Sequence, residues 1–193
     1  MIDPKTCTIQ GDLSRQDVCV LVELCAGKRV VEMGMGGSTL ILARCVSELY
    51  SYESDQYWLD LTKGRIKELQ DQGFGTTPKI ELTKATVPGS LPDHDILWLD
   101  GTMRDRANWV QHFAGKQSTL IMHDSRAHDV VKDMLVPVLA SQDLVLAISS
   151  IELHYHDSNM IVVRFNDKPM RYINWNEVEK SGRADWDNPH YVA

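Results

Sequence analysis

Behind Ser14, the apolar residues Val18, Leu21, Val22 and Leu24-Cys25 recur at helical spacing until Gly27, and Ser14 with Asp17 three places on reads as a capping pair. Arg29-Val30-Val31-Glu32-Met33 is a short run rich in β-branched residues that ends in glycines, a strand pattern followed by a tight turn. From Ser38 to Leu49 the helical period returns through Leu40, Ile41, Cys45, Val46 and Leu49. The alternation continues with a strand over Leu49 to Glu53, a helix over Asp55 to Gln72 closed by Gly73, and a strand over Lys79 to Thr83. Further strands are predicted over Asp95 to Leu99 and Ser118 to Met122, with helices near Arg104 to Ala114 and from Ser125 to about Ala140. Strands alternating with helices of this length predict an α/β fold, a doubly wound parallel sheet with helices on both faces. The last third breaks the rhythm: Leu144 to Leu153 and Met160 to Phe165 are strand-like and joined by His156-Asp157-Ser158-Asn159, so a C-terminal antiparallel hairpin completes a mostly parallel seven-stranded sheet.

Nothing in the pattern divides the chain. At 193 residues, with 43% hydrophobic content and 24% charge, a single domain is expected, with a core over about 14 to 165. Residues 166 to 193 form a polar C-terminal extension with scattered aromatics, as suited to a surface strap as to a lid or a contact in a homo-oligomer. The net charge of −7 comes without a basic run, which leaves nucleic acid and anionic membranes no obvious electrostatic attraction. A small-molecule partner is favoured. Met1-Ile2-Asp3-Pro4-Lys5 has no signal pattern, and no stretch is long and apolar enough to span a bilayer, so a cytoplasmic location is expected. Cys7, Cys19, Cys25 and Cys45 lack paired spacing and read as small reduced core residues.

The chemistry concentrates at the ends of the predicted strands. A glycine-rich turn between a first strand and its helix lets backbone amides approach a ligand, and the helix N-terminus favours a negative group. Gly34, Gly36 and Gly37 followed by Ser38 and Thr39 provide this. A dinucleotide-binding fold uses the same device with an acid about 20 residues on, and Glu53 serves either reading. Glu32, inside the motif, would repel a pyrophosphate and suits a ligand carrying an ammonium and a sulfonium. In Glu32-x-Gly34-x-Gly36, in Tyr52-Glu53 and in the strand order, the chain resembles the class I S-adenosylmethionine-dependent methyltransferases over roughly residues 14 to 165. The resemblance implies that Glu32, Gly34 and Gly36 line the methionine end of S-adenosyl-L-methionine and that Glu53 holds its ribose hydroxyls. Thr83-Lys84-Ala85-Thr86 lacks the acid common after the third strand, so adenine contacts fall to the Ala85 and Thr86 backbone.

A second cluster lies at the fourth and fifth strand ends, where ligands of open α/β sheets bind: Asp100 after Leu99, and His123-Asp124 after Met122. Leu99-Asp100-Gly101-Thr102-Met103 and the strand ending in Asp124 resemble the metal-dependent O-methyltransferases, most closely the macrocin type and more distantly the catechol type. This implies a divalent metal, magnesium or manganese, at Asp100, His123 and Asp124, which would lower the pKa of a substrate hydroxyl. Asp100 and His123 are the catalytic candidates, with Asp100 also beside the cofactor. His123 stands where an acid is usual and suits softer metals, or could serve as a base without metal; Met103 stands where the catechol type has its lysine. Asp100-Gly101 also reads as an ordinary turn and Asp124-Ser125 as an ordinary helix cap. His154 and His156, two apart, read as solvent-facing residues of an edge hairpin, and Trp98 and Trp109 as core. An oxidoreductase of the NAD(P) type and a non-catalytic cofactor-binding or assembly protein remain alternatives.

Overall fold

The computed structural model describes residues 13–74, 79–85, 89–102, 105–106, 108–110, 119–125, 148–152 and 155–165. Within them the elements run α1 (Arg15–Cys25), β1 (Arg29–Met33), α2 (Gly37–Cys45), β2 (Glu48–Glu53), α3 (Gln56–Asp71), β3 (Lys79–Lys84), β4 (Ile96–Leu99), β5 (Thr119–His123), β6 (Ile148–Glu152), a short 3-10 turn (Tyr155–Asp157) and β7 (Met160–Phe165). The seven strands form one sheet in the order β3-β2-β1-β4-β5-β7-β6. β1 to β5 pair in parallel, whereas β7 lies antiparallel to both β5 and β6. This is the expected doubly wound α/β sheet with its closing antiparallel hairpin. It differs from a dinucleotide-binding sheet, in which the sixth strand continues the parallel run.

The central strands read as near-continuous apolar runs because both of their faces are buried. Val30, Val31, Leu97, Trp98, Leu99, Leu120, Ile121, Met122 and Met160 to Val163 are all buried. Each such side chain contributes ~1.5–3 kcal/mol of transfer free energy. Trp98 and Trp109 are core residues, as the pattern implied. α1 begins with the predicted capping pair: Ser14 Oγ accepts from the Asp17 amide at 3.1 Å, and Asp17 Oδ2 accepts from the Ser14 amide at 2.7 Å. The second helix stops earlier than its periodicity suggests. Val46 turns extended at φ −86 and ψ 166, and the Ser47 amide donates to the Lys28 carbonyl at 2.8 Å. Val46 and Leu49 therefore serve the connection and β2, their helical spacing being accidental.

Cys19, Cys25 and Cys45 form no disulfide among the described residues. His156 lies in the 3-10 turn at φ 49, its ring stacked on Tyr155 with centroids 4.2 Å apart, and not on a strand. Residues 105, 106 and 108–110 are helical, as expected after β4. Residues 126–140 of the helix expected from Ser125, residues 144–147 and 153 of the strand expected over Leu144 to Leu153, His154, Thr86, Cys7 and the extension 166–193 lie outside the described residues. No helix among the described residues is long and apolar enough to cross a membrane.

Candidate active site

The carboxyl ends of β1 to β4 converge because the ladder continues past the strands: the Gly34 amide donates to the Tyr52 carbonyl, the Asp100 amide to the Met33 carbonyl and the Ala85 amide to the Glu53 carbonyl, at 2.8 to 3.0 Å. Gly34 sits at φ +90, and a Cβ on it would lie 2.5 Å from the Gly101 nitrogen and 2.7 Å from the Asp100 carbonyl carbon. Only glycine lets the β1 and β4 turns touch there. At Gly36, by contrast, an added Cβ meets nothing within 4 Å, so the loop faces open space at the N-terminus of α2. A small, open cleft follows these strand ends and is lined by Gly34, Glu53, Ala85, Gly101, Thr102 and Asp105.

Glu53 faces this cleft while its Oε2 accepts from the Met35 amide at 2.9 Å and its Oε1 from the Asp55 amide at 2.8 Å. One carboxylate thus braces the glycine loop and the start of α3. Glu32 is placed otherwise than the resemblance implies. It is fully buried behind the loop, accepting from Ser38 Oγ at 2.6 Å and Ser51 Oγ at 2.5 Å. Burial pushes its pKa up to about 7, against the lowering effect of the Ser38, Ser51 and Thr39 hydroxyls and with the charge of Asp100 adding to the rise. Ser38 and Thr39 are buried as well; Thr39 Oγ1 accepts from the Gly36 amide at 2.9 Å. Glu32, Ser38 and Thr39 therefore shape the loop from within, and what α2 offers a ligand is backbone N–H. A half-neutral Glu32 repels a pyrophosphate little, so the strand order, not that charge, separates this chain from the dinucleotide-binding fold.

The second cluster does come together. His123 Nδ1 lies 3.1 Å from Asp100 Oδ1 and 3.2 Å from Asp124 Oδ1. Its Nε2 is 3.8 Å from Asp17 Oδ2, an ion-pair distance longer than a hydrogen bond. Burial alone would lower the pKa of His123; the Asp100 contact, then Asp17 and the charge of Asp124, outweigh it and push the ring up to about 10. Asp17 is also buried, which alone would raise its pKa, but His123, the Asn159 amide at 2.6 Å and Ser14 hold it at about 2. At neutral pH the ring is an imidazolium that gives up its proton reluctantly, a poor general base. Asp124 stands at φ 65, a left-handed conformation that Asp tolerates better than most residues.

Sequence reasoning missed Arg106. Its Nη2 donates to Asp124 Oδ2 at 2.8 Å and reaches Asp100 Oδ1 at 3.4 Å, Nη1 donates to the His123 carbonyl at 3.1 Å, and Nε donates to the Gly101 carbonyl at 2.5 Å. Asp17 was legible as a cap but not as a partner of His123. The donor atoms of Asp100, His123 and Asp124 lie within 4.8 Å of one another, close enough for one ion. As placed they do not suit a divalent metal, because a guanidinium already sits on both carboxylates.

No family model and no curated protein matches the sequence. Solved structures do match in fold. A SAM-dependent O-methyltransferase from Thermotoga maritima aligns over 82% of this chain and 66% of its own, at 16% identity and a TM-score of 0.56; the chain thus spans just under two thirds of that protein. The Podospora anserina methyltransferase PaMTH1, solved with SAH bound, aligns over 80% of each chain at 12% identity and a TM-score of 0.59. An O-methyltransferase from Bacillus cereus in complex with SAH aligns over 79% of this chain and 82% of its own, at 14% identity and a TM-score of 0.57. Strand order, glycine turn and these likenesses agree: the chain has the class I S-adenosylmethionine-dependent methyltransferase fold.

Proposed function

We propose that the chain is an S-adenosylmethionine-dependent methyltransferase that methylates a hydroxyl of a small-molecule acceptor. One observation carries this reading: the cleft over Gly34, Glu53 and Ala85 runs to the turn that carries Asp100, so a cofactor site and a polar reactive end share one strand edge. The fold hosts many chemistries, so the reaction is argued from these side chains and not from the likeness.

When bound, S-adenosylmethionine supplies a methyl group on a sulfonium. The chain's own residues hold and orient. The open face at Gly36 and the N–H groups of α2 receive the carboxylate end. Glu53 accepts from ribose hydroxyls while keeping the loop in place. The Ala85 backbone, which lines the cleft, would flank the adenine. Asp100, partly exposed and oriented by His123 and Arg106, would take up the proton of the acceptor hydroxyl. His123 acts through Asp100, as an imidazolium that fixes its carboxylate.

The test is methyl transfer from labelled S-adenosylmethionine to a panel of phenols and sugars. Asp100→Asn should bind S-adenosylhomocysteine normally and lose at least about 100-fold in kcat, the usual scale for a proton-transfer group. Full activity in Asp100→Asn would remove the assigned base. Cofactor binding without transfer to any hydroxyl would favour the binding-protein alternative.

A further inference from the structure

We propose that Arg106 is the resident cation of the Asp100–His123–Asp124 cluster, a built-in guanidinium standing where the resemblance puts a divalent ion. Its side chain is 6% exposed, and all three of its nitrogens are engaged. Its acceptors come from both strand ends: the Gly101 carbonyl and Asp100 after β4, the His123 carbonyl and Asp124 at β5. The backbone is fixed too, since the Arg106 amide donates to the Thr102 carbonyl at 2.9 Å in the turn after β4. Arg106 is thus a clasp between the two turns as well as a charge.

A metal ion bonded to Asp100 Oδ1 would sit no more than about 5.5 Å from Arg106 Nη2, the sum of the 3.4 Å contact and a metal–oxygen bond, and like charges at that range in a poorly hydrated site repel strongly. Swinging the guanidinium out would relieve this, but it would cost the bonds to the Gly101 and His123 carbonyls and to Asp124. On the other side, His123 Nδ1 lies within hydrogen-bond distance of both Asp100 Oδ1 and Asp124 Oδ1, so these two oxygens already have a ring nitrogen as partner. The cluster is therefore complete without an ion. Its consequence for catalysis rests on the methyltransferase reading: transfer proceeds without a divalent metal, and the acceptor oxygen meets Asp100 directly.

Manganese binding decides the matter and reads something other than activity. Wild-type protein, with and without S-adenosylhomocysteine, is titrated with Mn²⁺ and followed by electron paramagnetic resonance, with thermal melts in EDTA and in about 1 mM Mn²⁺ or Mg²⁺. No stoichiometric Mn²⁺ should bind, and melting point and S-adenosylhomocysteine affinity should be the same in both buffers to within about twofold in Kd. Arg106→Gln leaves the acid pair without its cation; it should melt lower and bind one Mn²⁺ that raises its melting point, an effect lost in Arg106→Gln/Asp124→Asn. Arg106→Lys keeps the charge and should bind no Mn²⁺, which covers the case of an Arg106→Gln chain that does not fold. One Mn²⁺ bound by the wild type and lost in Asp124→Asn would overturn the proposal, as would Mn²⁺ binding by Arg106→Lys. Failure of S-adenosylhomocysteine to bind would instead strike the methyltransferase reading and leave the manganese result to speak for Arg106 alone.

Discussion

Gly34 and Gly36 stand two residues apart in one turn, yet the structure gives them different tasks, and alanine separates them. A methyl group on Gly34 would lie 2.5 Å from the Gly101 nitrogen, 2.6 Å from its Cα and 2.7 Å from the Asp100 carbonyl carbon, all backbone atoms that cannot rotate away. Alanine at φ +90 adds conformational strain of ~1–2 kcal/mol, and forcing the β1 and β4 turns apart adds roughly 1–3 kcal/mol. A total near 3 kcal/mol lowers the melting temperature of a chain this size by about 10 °C. At Gly36 the same methyl group meets nothing within 4 Å, and glycine to alanine at a helix cap costs less than about 1 kcal/mol, or about 3 °C. If the cofactor lies over Gly36, however, that methyl group occupies its place, and S-adenosylhomocysteine affinity should fall at least about tenfold, or 1.4 kcal/mol. Calorimetric melts and binding titrations on both variants read the split. A Gly34→Ala protein that melts with the wild type would refute the packing argument. A Gly36→Ala protein that binds S-adenosylhomocysteine as tightly as wild type would refute the placement of the cofactor.

Three further outcomes follow from the buried charges. Glu32 has a folded pKa of about 7 against an ordinary 4.5, so the native state binds the extra proton and stability falls as pH rises from about 4.5 to 7. Glu32→Gln should remove that slope and, above pH 7, recover up to about 3 kcal/mol in urea melts; a slope unchanged by the variant would contradict the burial. His123 has a raised folded pKa, so its contribution is fully present below about pH 6.5 and disappears as pH climbs to about 10; His123→Gln should flatten the alkaline side of the stability curve. Asp17 has a depressed folded pKa, so its contribution is present above about pH 4 and is lost towards pH 2. Asp17→Asn should cost about 3 kcal/mol near pH 7 and much less at pH 2, and an equal cost at both would show that Asp17 serves only as a helix cap.

What the sequence made legible was local. Val30-Val31 followed by glycines specifies a strand and turn with no help from the rest of the chain, and Ser14-Arg15-Gln16-Asp17 carries its own capping chemistry. The apolar runs of β4 and β5 and the turn before β7 likewise announce themselves. Illegible features were those set by contacts between distant segments. Glu32 reads as a ligand-facing acid until Ser51, on the neighbouring strand, is seen to share its burial with Ser38. Arg106 resembles any solvated arginine on a helix; the hint lay in its place in the first turn after Asp100, near enough to fold back on that carboxylate. Asp17 looks spent as a cap, and only the packing of α1 beside β5 and the Asn159 loop brings it to His123. The end of α2 was overrun for a related reason: Val46 and Leu49 keep helical spacing, and the hydrogen bond from Ser47 to Lys28 overrides it.

The proposed function requires the cleft at the glycine turn to be a site for S-adenosylmethionine. Isothermal titration of the purified chain with S-adenosylhomocysteine, repeated with NAD and with Glu53→Gln, addresses that claim directly. One S-adenosylhomocysteine per chain, weakened roughly 10- to 100-fold in Glu53→Gln, with no heat from NAD, is the predicted result. No S-adenosylhomocysteine binding, or binding of NAD in its place, would contradict it.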